Sequence, residues 1–435
     1  MSSIGHIIKS ERLNQSMKQN TLAKGICSTS YLSKIENSLT VPSDEVITFL
    51  LKKLNIEIDQ VSSEKEKEVI ESLSQLYKIG VLKRNKQFIS EALHKFTHQK
   101  LYFLQLKNFY SYHLYMFRLL LILDEEEEDN LHSAYNTLVK IKDDMDDKQK
   151  FIFHLNRGLY SYLAGNFKEA INRLEMSLKL VNSGINEEWE VADFYNILSL
   201  TYFKCNEFFN AINYASKSLL YYKDNLLFER AIDNYIVIGI AHKKLRKYEE
   251  AEKNYNLAEK LAIDYKLINY EEVIYQNLGS LYAIQGSHEK AIEFYKCSLK
   301  IKDEDCNAEG YLLTILSLVK EYSKQSDHQQ VLKWCKKGLE KIVVGKNSSK
   351  EQTSYYFHLE VYKTYHNFTD ELEMILKEAI NYFEKEQDER HVQKYSILLG
   401  DYLFKKNKFK AASLYYQKSN EILFKQKFIE KWEDL

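Results

Sequence analysis

Apolar residues recur at Ile4, Ile7, Ile8 and Leu13, at Leu22 and Ala23, at Leu32 and Ile35, and at Val46, Ile47, Leu50, Leu51 and Leu54. Steps of three and four place each set on one face of a helix, so this end of the chain predicts four short helices. The polar break Asn14-Gln15-Ser16 ends the first, and the second runs from about Lys18 to Lys24. Gly25 allows the turn, Ser28 or Thr29 caps the third helix, and Ser43 or Asp44, behind Pro42, caps the fourth.

Further along, the pattern repeats at longer range. An aromatic residue or histidine stands at Phe167, Phe208, Tyr248, His288, His328, Phe368 and Phe409, in steps of 41, 40, 40, 40, 40 and 41 residues. Three residues after these anchors come Ala170, Ala211, Ala251, Ala291, Val331, Glu371 and Ala412, small in all units but one. Nine before them are Gly158, Ser199, Gly239, Gly279, Val319, Leu359 and Gly400, and six before them Ser161, Tyr202, His242, Tyr282, Tyr322, Tyr362 and Leu403. A glycine lets two helices approach, an aromatic ring fills the gap beside it, and an alanine admits the neighbouring backbone. Each unit is thus a helical hairpin that buries its apolar face only by stacking on the next. Ala92 and Ala134 anchor two looser hairpins between residues 69 and 140, and Glu421 to Leu435 is expected to cap the stack. The charge-dense Ser62-Ser63-Glu64-Lys65-Glu66-Lys67-Glu68 predicts a solvated helix or hinge, with a domain boundary near residue 62, and the acidic run Asp124 to Asp129 an exposed loop.

A single proline, Pro42, and 13 glycines leave little to interrupt helical hydrogen bonding, so the chain is expected to be all-α. Its 435 residues, 45% hydrophobic and 28% charged, exceed one ordinary domain and suit a soluble protein with a large core. The longest apolar stretch, Leu114 to Leu123, is interrupted by Arg118 and falls short of the roughly 20 residues of a membrane span. No membrane partner is expected, no secretory signal opens the chain, and the cytoplasm is the expected compartment. Five scattered cysteines without CxxC spacing predict neither a disulfide framework nor a zinc site. No phosphate-binding glycine loop, metal spacing or nucleophile motif is found, so no catalytic residue, metal or cofactor is assigned. His288 and His328 occupy the anchor position, where packing is expected rather than catalysis. The net charge is −1, yet residues 1–40 hold Lys9, Arg12, Lys18, Lys24 and Lys34 against Glu11 and Glu36, which is 5 − 2 = +3. That excess belongs to a surface that faces phosphates.

Through Gln19, Leu22-Ala23, Tyr31-Leu32-Ser33-Lys34-Ile35-Glu36-Asn37 and Pro42, the amino-terminal segment resembles the helix-turn-helix of the Cro and phage-repressor class, with a turn at Gly25-Ile26-Cys27-Ser28 one residue shorter than in phage repressors. The resemblance implies that the third helix enters the major groove. Ser28, Thr29, Ser30 and Tyr31 would face base edges, Lys34 a base or phosphate, and Gln19 would clamp a phosphate and brace the reading helix. Ser28 also serves as an N-cap, Tyr31 has an inward-packed alternative, and Glu36 and Asn37 are expected to stabilise the helix end.

The hairpin spacings resemble the tetratricopeptide repeat, best from Asn277-Leu278-Gly279 through Tyr282, Gly286, Ala291 and Tyr295, with a period longer than the usual 34 because loops or helices are extended. The expected architecture is therefore a helix-turn-helix domain over 1–61, a linker helix over 62–75, and a tetratricopeptide-like right-handed α-solenoid over 76–435. Over essentially its whole length the chain resembles the peptide-receptor regulators of Gram-positive bacteria, the family of Rap, NprR, PlcR and PrgX, and looks nearest the PlcR and NprR branch. That resemblance implies a transcriptional regulator that binds double-stranded operator DNA as a homodimer and holds a short signalling peptide in the groove of its repeats. Asparagine both donates to and accepts from a peptide unit, so Asn156, Asn196, Asn234 and Asn277, on the first helices of their hairpins, are the expected backbone clamp. Gln276, Arg157, Lys204 and Lys243 are candidates for a peptide carboxylate or acidic side chain. Two other readings stay open: a repeat scaffold that grips a response regulator under peptide control, and a phage arbitrium-type receptor, which shares the architecture.

Overall fold

The computed structural model describes residues 4–37, 39–56, 63–97, 103–123, 128–141, 145–181, 184–302, 308–342 and 349–427, and among them there are 22 helices and no strand. Two compact units divide the chain, residues 1–241 and 242–435. The expected domain boundary near residue 62, part of the acidic run (124–127), Cys306 and the last eight residues of the expected cap lie outside the described residues.

The first unit opens with α1 (Ile4–Asn14), α2 (Gln19–Ala23), α3 (Thr29–Glu36) and α4 (Asp44–Lys53). Their apolar stripes meet in a core of Ile8, Leu22, Leu32, Ile35, Leu50 and Leu54, where burying each large side chain contributes about 1.5–3 kcal/mol. A Cβ on Gly5 would lie 2.0 Å from the Ile35 carbonyl oxygen, so α1 and α3 touch backbone to backbone. Ser28 caps α3, its Oγ accepting from the Tyr31 amide, and Gly25 turns the chain with φ +82°.

Next come α5 (Ser63–Lys83), α6 (Lys86–Thr97), α7 (Leu106–Leu123), α8 (Glu128–Ile141), α9 (Asp147–Leu163), α10 (Phe167–Val181), α11 (Glu188–Lys204), α12 (Phe208–Asp224) and α13 (Phe228–Lys244), whose last residues belong to the second unit. The segment read as a linker helix opens α5, whose later turns bury Leu73, Leu76, Tyr77 and Val81. The apolar stretch of the sequence is the C-terminal part of α7, buried on nearly every side. Ala92 and Ala134 lie half-buried on α6 and α8 against the same core.

The second unit holds α14 (Tyr248–Asp264), α15 (Ile268–Ile284), α16 (His288–Ile301), α17 (Ala308–Lys324), α18 (His328–Leu339), α19 (Lys350–His366), α20 (Leu372–Lys385), α21 (Glu389–Lys405) and α22 (Phe409–Lys427). Its cores are built from Ala291, Tyr295, Ile315, Val319 and Val331, and from Leu376, Ala379, Phe383, Tyr395 and Leu399.

The 40-residue period has a simple origin. Helices α11 to α15 each have 17 residues, and consecutive ones are joined by three. Lengthened helices rather than lengthened loops therefore set the period. The middle residue of each connection is left-handed: Asn206 (φ +62°), Leu226 (+56°), Arg246 (+59°) and Lys266 (+56°). Phe167, Phe208, Tyr248, His288, His328 and Phe409 open the second helix of their hairpins and are half-buried or exposed. The packed residue is the one three later, since Ala170, Ala211, Ala251, Ala291 and Val331 are fully buried. Gly158, Gly279 and Gly400 receive Leu174, Tyr295 and Tyr416, each 2.6 Å from where a Cβ would stand.

One hairpin departs from the expected register. Helix α19 runs on to His366 and α20 begins at Leu372, so Phe368 is an exposed left-handed turn residue (φ +54°) and Glu371 a loop residue. That is why Glu371 breaks the run of small residues.

Candidate functional site

The candidate reader of the helix-turn-helix segment is the first turn of α3. Ser28, Thr29, Ser30 and Lys34 are exposed together there, and the Ser28 and Ser30 hydroxyls stand 3.2 Å apart. Tyr31 is half-buried against the small core. Behind them lies a polar lock. Arg12 donates from Nε and Nη2 to both oxygens of Glu36, at 2.6 and 2.9 Å, and from Nη1 to the Met17 carbonyl at 2.9 Å. Gln19 donates from Nε2 to Glu36 Oε2 at 2.7 Å. Burial opposes the Glu36 charge, but the hydrogen bonds from Arg12 and Gln19 outweigh it and hold the carboxyl below its usual range. Glu36 is thus a buried hub at the end of α3, and Gln19 braces the reading helix through it. Lys9 donates to Asn37 Oδ1 at 3.1 Å, and Lys53 to the Lys24 carbonyl at 2.6 Å.

The candidate clamp residues fall in both units. In the first, Asn156, Asn196 and Asn234 sit on α9, α11 and α13, each buried. Asn156 donates to the Leu114 carbonyl at 3.0 Å, and Asn234 donates to Asn196 Oδ1 at 3.2 Å and to the Arg230 carbonyl at 2.8 Å. Asn156 Oδ1, Asn196 Nδ2 and Asn234 Oδ1 have no hydrogen-bond partner among the described residues. Each amide therefore keeps one free function, the opposite sense on Asn196 from its two fellows. Arg157 donates to Tyr135 Oη at 3.1 Å and lies over the Tyr135 and Phe153 rings, whereas Lys204 is exposed. In the second unit Asn277 bonds its own helix at Val273, and Gln276 donates to Ser317 Oγ at 3.3 Å while accepting from Thr314 at 2.8 Å. Lys243 donates to Ser280 Oγ at 3.0 Å, and burial with the neighbouring Lys244 charge lowers it to about 8.

Residues 8–61 match the helix-turn-helix family and residues 232–304 the tetratricopeptide repeat family. Over 415 residues the chain is 28% identical to the transcriptional activator NprA of Geobacillus stearothermophilus, covering 92% of this chain and 98% of NprA. The chain is thus similar to a transcriptional activator along nearly its whole length and joins a helix-turn-helix segment to tetratricopeptide repeats. Its fold is that of the apo quorum sensor NprR from B. thuringiensis (TM-score 0.68, 18% identity, 82% of this chain and 99% of the other). Apo RapI is similar (0.66, 18%, 82% and 98%), as is NprR in complex with its cognate peptide NprX (0.53, 19%, 82% and 98%).

The first unit carries a buried charge cluster that the sequence barely announces. Asp193 on α11 takes Arg118 of α7 at 2.5 Å, Arg230 of α13 at 3.2 Å and Arg84, just beyond α5, at 3.7 Å. Arg230 also donates to Tyr222 Oη at 2.9 Å and lies over the Tyr222 ring. Arg118 and Arg230 each leave Nε and Nη1 without a hydrogen-bond partner among the described residues, and Arg230 Nη1 stands 4.0 Å from Asp233 Oδ2. Burial and the charge of Arg230 lower Arg84 to about 10. Arg118, breaking an apolar run, is the visible sign of the cluster. Its ion-pair partner Asp193 lies 75 residues away along the chain, where no local pattern reaches. Asp193 precedes Asn196 by one helical turn, and Arg230 precedes Asn234 likewise, so the charge cluster and the free asparagine functions share α11 and α13.

Proposed function

We propose that this chain is a peptide-responsive transcriptional regulator of the cytoplasm that binds promoter DNA as a dimer, with a short signalling peptide held by the first helices of its hairpins. The open first turn of α3, braced from behind by the Arg12, Glu36 and Gln19 lock, carries the reading. Inserted in the major groove, Ser28, Thr29, Ser30 and Tyr31 would meet base edges, with Lys34 beside a phosphate or base. Short hydroxyls discriminate weakly, which leaves most of the sequence preference to Tyr31, Lys34 and DNA shape. Gln19 acts on DNA through the position of α3, since its amide is engaged by Glu36.

Support for transcriptional regulation comes from the likeness to the transcriptional activator NprA along nearly the whole chain, and support for a peptide ligand from the fold shared with NprR, whose cognate peptide is NprX. Asparagine functions without a partner on α9, α11 and α13 carry the donor and acceptor chemistry that an extended backbone needs, and because all three are buried a peptide would engage them only as these side chains turn outward. Two readers bound to adjacent major grooves stand one helical turn apart, roughly 34–36 Å, so a peptide that alters the separation of the readers in a dimer controls operator binding.

The test is a mobility shift of the full-length protein on duplex fragments from upstream of its own gene, with and without a peptide fraction of spent culture medium. Salt-dependent binding that the peptide fraction strengthens or weakens is expected. A protein that stays monomeric and binds no duplex at any ionic strength, while co-purifying with a phosphorelay protein, would replace this reading with the scaffold one.

A further inference from the structure

Three first helices of the second unit, α17, α19 and α21, enclose a cavity of 590 Å³ bordered by Lys320, Lys324, Arg390 and Lys394. It adjoins a second cavity of 340 Å³ walled by Val361, Tyr365 and Leu398, and the two share Ser323, Tyr362, Lys394 and Ile397. Nearby carboxylates are already committed. Glu321 takes Lys324 and His288, each at 2.7 Å, Asp388 takes His391 at 2.6 Å, and Asp401, beside the apolar part, accepts from Tyr416 Oη at 2.7 Å. Lys320, Arg390 and Lys394 have no ion-pair partner among the described residues. Lys394 lies over the Tyr362 and Tyr395 rings, 5.4 and 5.0 Å from their centroids. All three cations reach solvent, but inside a concavity whose walls remove part of their hydration. That enclosure and the charges of Lys320 and Arg390 lower Lys394 to about 8, and enclosure with Arg390 and Lys324 lowers Lys320 as well. Glu321 and Asp388 act on Lys320 and Arg390 only beyond ion-pair distance, so three like charges held together without a direct partner are organised for an anion.

From this arrangement we infer that the paired cavity receives the carboxy-terminal residue of a short peptide, its α-carboxylate between Lys320, Arg390 and Lys394 and its apolar side chain against Val361, Tyr365 and Leu398. An α-carboxylate and a side chain branch from one carbon, which fits a cationic compartment and an apolar one that share Lys394, Tyr362 and Ile397. A phosphate alone leaves the apolar compartment empty. The inference rests on the reading of the chain as a peptide receptor and assigns the end of the peptide that this cavity takes.

The experiment is residue-resolved lysine acetylation of the full-length protein, read by mass spectrometry, with acetyl-Leu-Leu carrying a free carboxylate as probe. Acetyl-Leu-Leu amide, acetyl-Asp-Leu amide and inorganic phosphate are the comparisons. Protection of Lys320 and Lys394 by the free acid alone is expected, with about tenfold weaker protection of Lys320 in the Lys394→Gln variant, the loss of one charged hydrogen bond. Equal protection by the amide, by the aspartyl probe or by phosphate overturns the assignment. A second arm separates the two readings. If the peptide fraction of spent medium alters DNA binding by wild type and by Lys320→Gln/Lys394→Gln equally, the cavity assignment fails while the receptor reading stands. If wild type itself does not respond, the receptor reading fails, and the footprint alone decides whether the cavity takes a carboxylate.

Discussion

A carboxylate buried at the end of the proposed recognition helix does two jobs when its partners come from other helices. Glu36 joins α3 to Arg12 of α1 and to Gln19 of α2, so the angle of the reading helix depends on three side chains. Glu36→Gln would leave Arg12 without its counter-charge in a buried place, and breaking such a pair costs about 3–5 kcal/mol. Hydrogen exchange of the α3 amides should accelerate while the repeats stay protected, and DNA affinity should fall with them. The pH dependence has a definite sign. The folded pKa of Glu36 lies below its unfolded value, so the unfolded chain binds more protons in that window, and the stability present above about pH 4.5 is lost as pH falls through the folded pKa. Protection of α3 should therefore drop on acidification below that point, and Glu36→Gln should remove the drop. At Gly5 the demand is steric. Gly5→Ala sets a Cβ 2.0 Å from the Ile35 carbonyl oxygen and should cost about 1–3 kcal/mol in the same exchange measurement. Neither role is legible in sequence, where Glu36 reads as a helix-end residue and Gly5 as one small residue in an apolar stripe.

At the scale of the element, the 40-residue spacing marks real hairpins, because the turn that ends each first helix fixes where the second begins. What the spacing detects is the start of a helix rather than a core position, which is why the anchors are partly exposed and the small residues three later are not. At Phe368 the register slips because α19 continues to His366, and nothing in an aromatic residue at the expected step betrays it. Left-handed non-glycine residues in the connections offer a direct check. Leu226 is 70% exposed with φ +56°, so Leu226→Gly removes backbone strain without losing packing and should stabilise by about 0.5–1 kcal/mol, seen as a higher midpoint in urea. The Asp193 cluster sets the opposite expectation. Asp193→Asn leaves Arg118 buried without an ion-pair partner and Arg230 with only the longer contact to Asp233, and should destabilise the first unit by about 3–5 kcal/mol in the same titration. In the second unit, burial with the charges of His391, Lys394 and Lys320 lowers His358 to about 2, and its Nδ1 meets the Tyr395 hydroxyl. Below its unfolded value near 6.5 the unfolded chain takes up a proton that the folded one refuses, so stability should fall steadily from pH 6.5 downward.

For the whole molecule, a net charge of −1 conceals how the proposed DNA contact must work. Arg12 and Glu36 neutralise one another inside the reader, and removing the pair from the count over residues 1–40 leaves Lys9, Lys18, Lys24 and Lys34 against Glu11, which is 4 − 1 = +3. Glu11 is buried, so four lysines per reader are the cations available to phosphates from this segment. A dimer then neutralises at most eight phosphates by this route, and the logarithm of its affinity should fall against the logarithm of salt with a slope no steeper than about −7. Between 50 and 200 mM salt that corresponds to a loss of at most about 10⁴-fold. Lys34→Ala in both readers should flatten the slope by about 2 if both lysines meet phosphates, and leave it unchanged while relaxing sequence preference if they meet bases. Fluorescence anisotropy over a salt series with wild type and the variant distinguishes the two. A slope steeper than −7 would place phosphate contacts outside residues 1–40, and the half-site geometry proposed from α3 would then have to include them.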